Sequence, residues 1–429
     1  MRAPLVSRRL FLEAAGLLLT TAFQGRAQKR GVIRIGALLP APTGQNPLVD
    51  RVLEAAQMGL TMARDEYSLN AEVVGQHLEV QLLPAPDAQA AIRAAERLLD
   101  QGAYALIGGL GENQAEAISQ LAEKRRVPFF NVGSSRDSLR NEACGRYTFH
   151  VEASAAMYLD ALADWFVRSG FRRWFFVYPD SPDGKALHRR AQKALSQRHF
   201  GAREVGQAVV AQVRPEFGGA LEAIRRARPD VVLLLLDAST QLDFLEAYEA
   251  VKLSPAVTGF PYPEAQTRAF FSAARNRAPR AGAGYRAVLW EARLDRYGAR
   301  ELNARFLQRF RRPMEPPAWA TYQSVKMLFQ AASFGGSPEG PGLMAYLEDP
   351  QTVFDVYKGI GVSFRPWDHQ LRQSLYLVQV SSDAKDEWNL ASLVGELPAI
   401  YYPGTDPVER LDQLGDLRRD SHCSLGGGS

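Results

Sequence analysis

The sequence predicts an α/β protein made of two doubly wound, Rossmann-like lobes. From Val32 to Arg140, short apolar runs typical of buried parallel strands alternate with segments whose apolar residues recur at helical spacing. A second series of the same kind begins near Tyr147. Open parallel sheets bind ligands beyond the carboxyl ends of their strands, so two such units in tandem predict a cleft between them.

The first series opens with a nearly continuous apolar run over Val32–Leu39, which predicts a buried strand. Leu48–Tyr67 follows with apolar residues at helical spacing and predicts a helix. The remaining predicted elements of this series are a strand over His77–Leu83, a helix from its cap Asp87 to Gln101, a strand over Tyr104–Ile107, a helix over Glu112–Lys124 and a strand over Pro128–Asn131.

In the second series, Ser154 is predicted to cap a helix that ends near Arg168, and Asp230–Leu236 is the strongest buried strand of the chain. Between them we predict a strand over Trp174–Tyr178, a helix over Asp183–His199, a strand over Ala202–Val210 and a helix over Phe217–Arg228. Further along we predict a strand over Ala287–Trp290 and helices over Ala299–Arg311 and Ala318–Ser333.

These elements suggest a division of the chain in which each lobe is built from two separate segments. Residues 32–146 and 283–350 are assigned to the first lobe, and residues 147–282 and 351–390 to the second. Residues 391–429 are expected to form a tail that returns towards the first lobe, with irregular structure from Leu397 onwards.

The N-terminus predicts export. Residues 1–27 have a basic start, an apolar run over Ala14–Phe23 and a small-residue end, and Ser7–Leu12 resembles a twin-arginine signal. The apolar run is about half of the roughly 20 residues that a membrane-spanning helix needs, so a cleaved signal peptide is favoured over an anchor. Its removal lowers the formal net charge from +4 to about +1. No long block of like charge remains that would bind a nucleic acid.

The chain has two cysteines, Cys144 and Cys423. In an oxidising compartment such a pair predicts a disulfide, which is favoured over a metal site whose only nearby further ligand is His422. The motifs of dinucleotide-binding, P-loop, zinc-protease and serine-hydrolase proteins are absent from the sequence. The six histidines are not paired at metal-ligand spacing. We therefore expect a binding protein that is not an enzyme, with no required cofactor and no metal.

Candidate ligand contacts lie in the loops at the carboxyl ends of the predicted strands. These loops are Pro40–Gln45, Gly108–Asn113, Asn131–Arg136, Tyr178–Asp183 and Asp237–Thr240. Ser134 and Ser135 offer hydroxyl groups, and the Arg136 guanidinium can pair with a carboxylate. The alternative for the serines is helix capping. Tyr178 and Trp290, at strand ends, are either aromatic walls of the cleft or parts of the core.

Several short motifs resemble those of type I periplasmic solute-binding proteins, the leucine-binding-like receptors of ABC transporters. They are I-x-I-G-x-x-x-P at Ile33–Pro40, Thr43-Gly44, Leu106–Gly109 and Val127–Asn131. The resemblance implies two lobes joined by three hinge crossovers, a periplasmic location, a small-molecule ligand and an ABC permease partner in the inner membrane. It implies ligand contacts from the strand-end loops, and the candidates are Gly109, Glu112, Asn113, Ser134, Ser135, Arg136, Tyr178, Asp180, Asp237 and Trp290.

Two segments depart from the family pattern. Relatives commonly carry acidic residues at Pro84–Pro86 and Tyr-Gly within Ser181–Gly184. These departures make an ordinary amino-acid ligand less expected.

A narrower resemblance rests on FRPWDHQLRQ at Phe364–Gln373, Asn141–Cys144 and the tail Arg419–Cys423. Together they resemble a branch found alongside alcohol dehydrogenase systems that depend on pyrroloquinoline quinone (PQQ). This implies PQQ as a candidate ligand and such a dehydrogenase system as a candidate partner. The alternatives are an amino-acid or amide transport receptor, and a ligand sensor or cofactor-delivery partner of the dehydrogenase system. For Phe364–Gln373 itself, a packed hairpin turn is favoured over ligand contact.

Overall fold

A five-stranded parallel sheet organises the first lobe, in the order β2-β1-β3-β4-β5. The computed structural model describes residues 31–198, 201–335, 341–399 and 404–425, so the predicted signal peptide lies outside the described residues. The strands are β1 (Val32–Leu39), β2 (His77–Pro84), β3 (Ala105–Gly108), β4 (Phe129–Asn131) and β5 (Thr148–His150). The helices between them are α1 (Pro47–Val73), α2 (Ala88–Asp100) and α3 (Glu112–Arg125).

Local chemistry explains where these helices begin. The Asn46 side chain accepts hydrogen bonds from the first backbone N–H groups of α1, and the predicted cap Asp87 accepts one from Ala90 at the start of α2. Pro47 has no backbone N–H to donate. This costs nothing in the first turn of α1, because an N–H at that place has no acceptor within the helix.

A second parallel sheet, in the order β7-β6-β8-β9, organises the second lobe. Its strands are β6 (Arg173–Pro179), β7 (Arg203–Val210), β8 (Val231–Leu234) and β9 (Ala256–Gly259). Its helices are α4 (Ala155–Arg168), α5 (Pro182–Arg198), α6 (Gly218–Ala227), α7 (Ala238–Ala250) and α8 (Arg268–Arg277). Ser154 caps α4 through the Met157 N–H, as the sequence predicts. The predicted α/β class with two doubly wound lobes is confirmed.

The remaining chain adds a third, antiparallel sheet and a helical return to the first lobe. The strands are β10 (Tyr285–Val288), β11 (Leu375–Val380) and β12 (Ala391–Leu397), and the helices are α9 (Ala299–Phe310), α10 (Pro316–Phe334) and α11 (Pro341–Glu348). Helix α10 lies against α1, where the Thr321 hydroxyl donates to the carbonyl of Ala56 at 2.8 Å. At Gly59 of α1, an added Cβ would lie 2.0 Å from the Ala318 carbonyl oxygen, so only glycine permits this close helix contact.

Backbone pairing places two segments differently from the sequence-based division. The sequence-based division begins the second lobe at residue 147, which places β5 in that lobe. In the structure, β5 pairs in parallel with β4 of the first lobe. The same division places Phe364–Gln373 in the second lobe. In the structure this segment pairs with β5, because the His150 N–H donates to His369 O and the Leu371 N–H donates to His150 O. An antiparallel bridge from Phe364 to Leu371 confirms the predicted packed hairpin turn.

The tail is more regular than predicted. It contributes β12 to the third sheet, then a short helix α12 (Pro407–Leu411) and a single 3-10 turn over Arg418–Asp420. The predicted disulfide between Cys144 and Cys423 is present, with the two Cα atoms 5.7 Å apart. Among the described residues, no helix combines the length and the apolar character needed to cross a membrane.

Candidate functional site

A cavity of about 410 Å³ lies where loops of the two lobes meet. The first lobe contributes the start of α3 and the loop after β4, and the second lobe contributes the start of α5 and the loop after β9. The lining residues are Glu112, Ser135, Arg136, Asp137, Ser138, Asn141, Glu142, Ala155, Pro182, Asp183, Ala186, Leu187, Arg189, Phe260 and Tyr262. Both lobes therefore form one site at the carboxyl ends of their strands, which is where parallel sheets bind ligands.

The loop after β4 is held in shape by the Asn131 side chain. Its Oδ1 accepts from the N–H groups of Gly133 (3.3 Å) and Ser134 (3.0 Å), and its Nδ2 donates to the Ser134 carbonyl at 2.8 Å. A Cβ at Gly133 would lie 2.7 Å from Leu110 Cα, so glycine allows this loop to pack on the loop after β3. The turn presents the next two residues, Ser135 and Arg136, to the cavity.

Arg136 connects the two lobes across the cavity. Its guanidinium lies 3.5 Å from Glu112 and 3.2 Å from Glu116, both on α3, and 3.2 Å from Asp183 at the start of α5. The Ser134 hydroxyl also donates to Glu112. The Asp183 side chain is 74% exposed, so its pairing with Arg136 is a weak, solvent-screened interaction.

A second arginine, Arg140, lies behind this loop and is buried. Its Nη1 donates to the carbonyls of Ser134 (2.9 Å) and Arg136 (3.0 Å), and its Nη2 donates to the carbonyl of Glu152 at 2.9 Å. Its Nε donates to the Gln370 side chain at 2.9 Å. Burial lowers the pKa of Arg140, yet four hydrogen bonds to oxygen atoms compensate for the lost hydration. The hairpin turn that carries Gln370 thereby supports the loop of Arg136.

The second lobe presents aromatic rings to the same cavity. Phe260 and Tyr262 form an edge-to-face pair with centroids 4.7 Å apart. Burial raises the pKa of the Tyr262 hydroxyl, and the neighbouring carboxylate of Glu112 adds to that rise. The cavity thus has a polar side around Arg136 and an apolar, aromatic side, which suits a ligand that has both a ring and a charged group.

Asp137 adds a carboxyl group to the lining. Its Oδ1 accepts from the N–H of Ala156 in the first turn of α4, at 3.0 Å. Burial raises the pKa of Asp137 to about 6, against the opposing attraction of Arg190. Its charge state therefore changes under mildly acidic conditions.

Of the residues proposed from the sequence, Glu112, Ser135 and Arg136 line the cavity. Asn113 lines a neighbouring space of about 740 Å³ that shares Glu112, Arg136 and Asp183 with the first. Ser134 is buried behind the surface and reaches the site through Glu112. Gly109, with φ of 84°, serves the turn after β3.

Six of the ten proposed residues line neither space: Gly109 and Ser134, described above, and Tyr178, Asp180, Asp237 and Trp290. Tyr178 is buried, donates to the Gln207 side chain at 2.9 Å and stacks on His188. Asp180 is exposed and pairs with Lys185 at 2.7 Å. Asp237 caps α7 through the Thr240 N–H.

Trp290 is fully buried and stacks on Trp319, with ring centroids 5.6 Å apart, while its Nε1 donates to Asn303 at 3.0 Å. It therefore belongs to the core and not to the cleft, two residues beyond the end of β10 at Val288.

The residues that sequence reasoning missed come mainly from the second lobe. Asp183 follows Pro182 at the start of a helix, and this pair is a recognisable signal of a helix N-terminus. Phe260 and Tyr262 follow a strand of only four residues, Ala256–Gly259, which gives little signal in the sequence. In the part of the chain that the structure describes, no cluster of three or more histidine, cysteine, aspartate or glutamate side chains is arranged to hold a metal ion.

Comparison with known proteins gives a consistent result. Residues 32–385 match the family model described as periplasmic binding protein. No curated protein matches the sequence. Among solved structures, a branched-chain amino acid ABC transporter periplasmic ligand-binding protein from Burkholderia xenovorans is similar, with a TM-score of 0.77 and 15% identity over 92% of this chain and 99% of that chain.

Two further structures are similar. An amino acid ABC transporter substrate-binding protein from Pseudomonas fluorescens has a TM-score of 0.72 and 19% identity, over 92% of this chain and 99% of that chain. An ABC transporter solute-binding protein from Rhodopseudomonas palustris, in complex with benzoate, has a TM-score of 0.67 and 16% identity, over 92% and 100% of the two chains. At these identities the likeness concerns the fold.

Proposed function

Because the chain belongs to the family of periplasmic binding proteins, we propose that it is the solute receptor of an ABC transporter. It captures a small molecule between its lobes and delivers it to a permease in the inner membrane. The observation that carries this proposal is the cavity lined from both lobes, with Arg136 of the first lobe reaching Asp183 of the second. Lobe closure around a ligand would bury it between these two surfaces.

The proposal includes export and the absence of an enzymatic activity. The N-terminal 27 residues are removed as a signal peptide, and the mature protein works in the periplasm. The oxidising conditions there agree with a disulfide between Cys144 and Cys423. The cleft binds its ligand and releases it unchanged.

The proposed ligand is a planar ring compound that carries carboxylate groups, and PQQ is the candidate that the sequence resemblance names. Tyr262 and Phe260 offer ring contacts, and Arg136 offers a planar guanidinium for a carboxylate. Arg136 is paired with Glu112, Glu116 and Asp183, so a ligand carboxylate that binds it has to replace one partner. The exposed Asp183 is the partner released at least cost. A structural relative binds benzoate, also a ring with a carboxylate.

An amino acid or amide is the second candidate. The carboxyl groups of Glu112 and Asp137 line the cavity and could accept hydrogen bonds from a ligand ammonium group. Relatives in two other bacteria are named as amino-acid receptors. In either case, a PQQ-dependent dehydrogenase system remains a candidate partner if the protein senses its ligand or delivers it as a cofactor.

A thermal-shift panel tests the function. Purified protein, unfolded and refolded to remove any carried ligand, is heated with PQQ, benzoate, 3,4-dihydroxybenzoate, leucine, an amide and a short alcohol. Binding to the native state raises the melting temperature in proportion to the logarithm of ligand concentration, and chromatography should recover the compound unchanged. Arg419→Ala, which alters an 81%-exposed side chain, is the control. Conversion of a panel compound into a product would contradict the receptor function.

A further inference from the structure

The C-terminal residues 412–423, which we call the C-terminal strap, run beside the ligand cavity and touch both lobes. The strap follows α12 and ends at the disulfide with Cys144. The fold described above does not require a connection at this place, since all three sheets are complete before residue 398.

The start of the strap is anchored on the hairpin turn that pairs with β5. Asp412 accepts from Arg365 Nε at 2.9 Å and from Arg372 Nε at 2.8 Å. Arg365 Nη2 also donates to the carbonyl of Leu414 at 2.5 Å, and Leu414 is buried. Both arginines belong to the motif at Phe364–Gln373 and are buried. Two buried guanidinium groups sharing one carboxylate fix this end of the strap firmly.

The middle of the strap binds the second lobe. The Gly415 N–H donates to Asp160 of α4 at 2.9 Å. The carboxylate of Asp416 lies 2.9 Å from Lys193 Nζ and 3.8 Å from Arg190 Nε, both on α5. These cations, together with the Asn141 side chain, lower the pKa of Asp416, although its burial acts in the opposite direction.

The end of the strap binds the first lobe. Asn141 Nδ2 donates to Asp416 Oδ2 at 3.4 Å, and Asn141 Oδ1 accepts from the His422 N–H at 3.0 Å. The disulfide then joins Cys423 to Cys144 in the loop before β5. Asn141 lines the ligand cavity, as does Arg189, which adjoins Arg190 in α5. The strap therefore crosses between the lobes at one edge of the cleft.

We propose that the C-terminal strap limits how far the two lobes open. Gly415 and Asp416 attach it to the second lobe, through Asp160 and through Lys193 and Arg190, and the disulfide is its covalent attachment to the first. When the second lobe moves away from the loop of Asn141 and Cys144, the strap must either release Gly415 and Asp416 or pull Cys423 away from its fixed position. The first costs charge-assisted hydrogen bonds in a partly buried place, and the second is prevented by a covalent bond.

A ligand-free distance measurement tests this inference independently of the proposed ligand. Spin labels are attached through a ketone-bearing amino acid at Arg93 on α2 and Arg225 on α6, so that no additional cysteine is needed, and pulsed electron resonance gives the interlobe distance distribution. Two variants weaken the attachment of the strap: Asp416→Ala removes its ion pairs with the second lobe, and the double variant Cys144→Ser with Cys423→Ser removes its covalent link to the first. Arg419→Ala, an exposed side chain within the strap, is the matched control.

Both variants should shift the distance distribution to longer values and broaden it, the double variant by less because Asp412 stays bound to Arg365 and Arg372. The control should reproduce the wild-type distribution. Asp416→Asn, which keeps the shape of the side chain, should give a smaller shift in the same direction. Far-UV circular dichroism verifies that each variant is folded; if the double variant is not, the two Asp416 variants still decide the matter. Folded variants with the wild-type distribution would overturn the inference, whatever the ligand panel shows.

Discussion

Replacing Asp183 by asparagine should strengthen the binding of a carboxylate ligand. Asp183 pairs with Arg136 at 3.2 Å across the cleft. A ligand carboxylate that pairs with the same guanidinium has to displace it. Asparagine keeps the size of the side chain and removes its charge, so the guanidinium is left with its two partners on α3, Glu112 and Glu116.

The size of the effect follows from exposure. The Asp183 side chain is 74% exposed and that of Arg136 is 23% exposed, and exposed ion pairs contribute about 0.2 to 1 kcal/mol. The dissociation constant for an anionic ligand should therefore fall by roughly 1.5- to 5-fold in Asp183→Asn. Arg136→Ala should act in the opposite direction, because the loss of a hydrogen bond to a charged group costs roughly 1.5 to 3 kcal/mol.

Titration calorimetry with the best ligand of the panel measures both changes, at low and at high salt. Asp180→Asn is the matched control, because Asp180 lies in the same loop, is exposed and pairs with Lys185 instead of Arg136. The gain in Asp183→Asn should shrink at high salt, since screening already weakens the competing pair. Weaker binding of an anionic ligand by Asp183→Asn would refute the reasoning, and tighter binding by Asp180→Asn would show that only the general loss of negative charge matters.

Three further predictions concern stability. Burial raises the pKa of Glu152 from 4.5 to about 8. The free energy of unfolding should therefore decline as the pH rises from about 4.5 to about 8, and urea titrations of Glu152→Gln should lack that decline. Arg286 is buried, its side-chain nitrogens have no hydrogen-bond partner among the described residues, and burial lowers its pKa to about 10. Arg286→Met should therefore stabilise the protein by roughly 1 to 2 kcal/mol in the same assay. A loss of stability would contradict this prediction. Gly59→Ala should destabilise by roughly 1 to 3 kcal/mol through its clash with the Ala318 carbonyl, whereas Gly218→Ala, with open space around it, should be neutral or stabilising.

The lobe architecture could be predicted because its strands are continuous apolar runs. Val32–Leu39 is β1 residue for residue, and the caps Asp87 and Ser154 are where the sequence places them. Thr148–His150 and Ala256–Gly259 gave a weaker signal, because each of these short strands has only one large apolar residue, Phe149 and Val257.

Of the individual residues proposed from the sequence, those that line the cavity, Glu112, Ser135 and Arg136, all come from the first lobe. Ser135 and Arg136 follow a buried strand directly, so topology alone places them at the cleft. Tyr178 and Trp290 also stand near strand ends, yet both are buried against other rings. Sequence cannot distinguish an aromatic ring that ends a core from one that faces a cavity, because both satisfy the same apolar pattern.

A crystal structure with the bound ligand tests the central claim most directly. We expect ligand density between the two lobes, with a polar group within hydrogen-bonding distance of Arg136 and an apolar part against Tyr262 and Phe260. It also predicts that Asp183 has moved away from Arg136 if the ligand is a carboxylate. Ligand density at any other place on the protein, with the cavity between the lobes unchanged, would contradict the account.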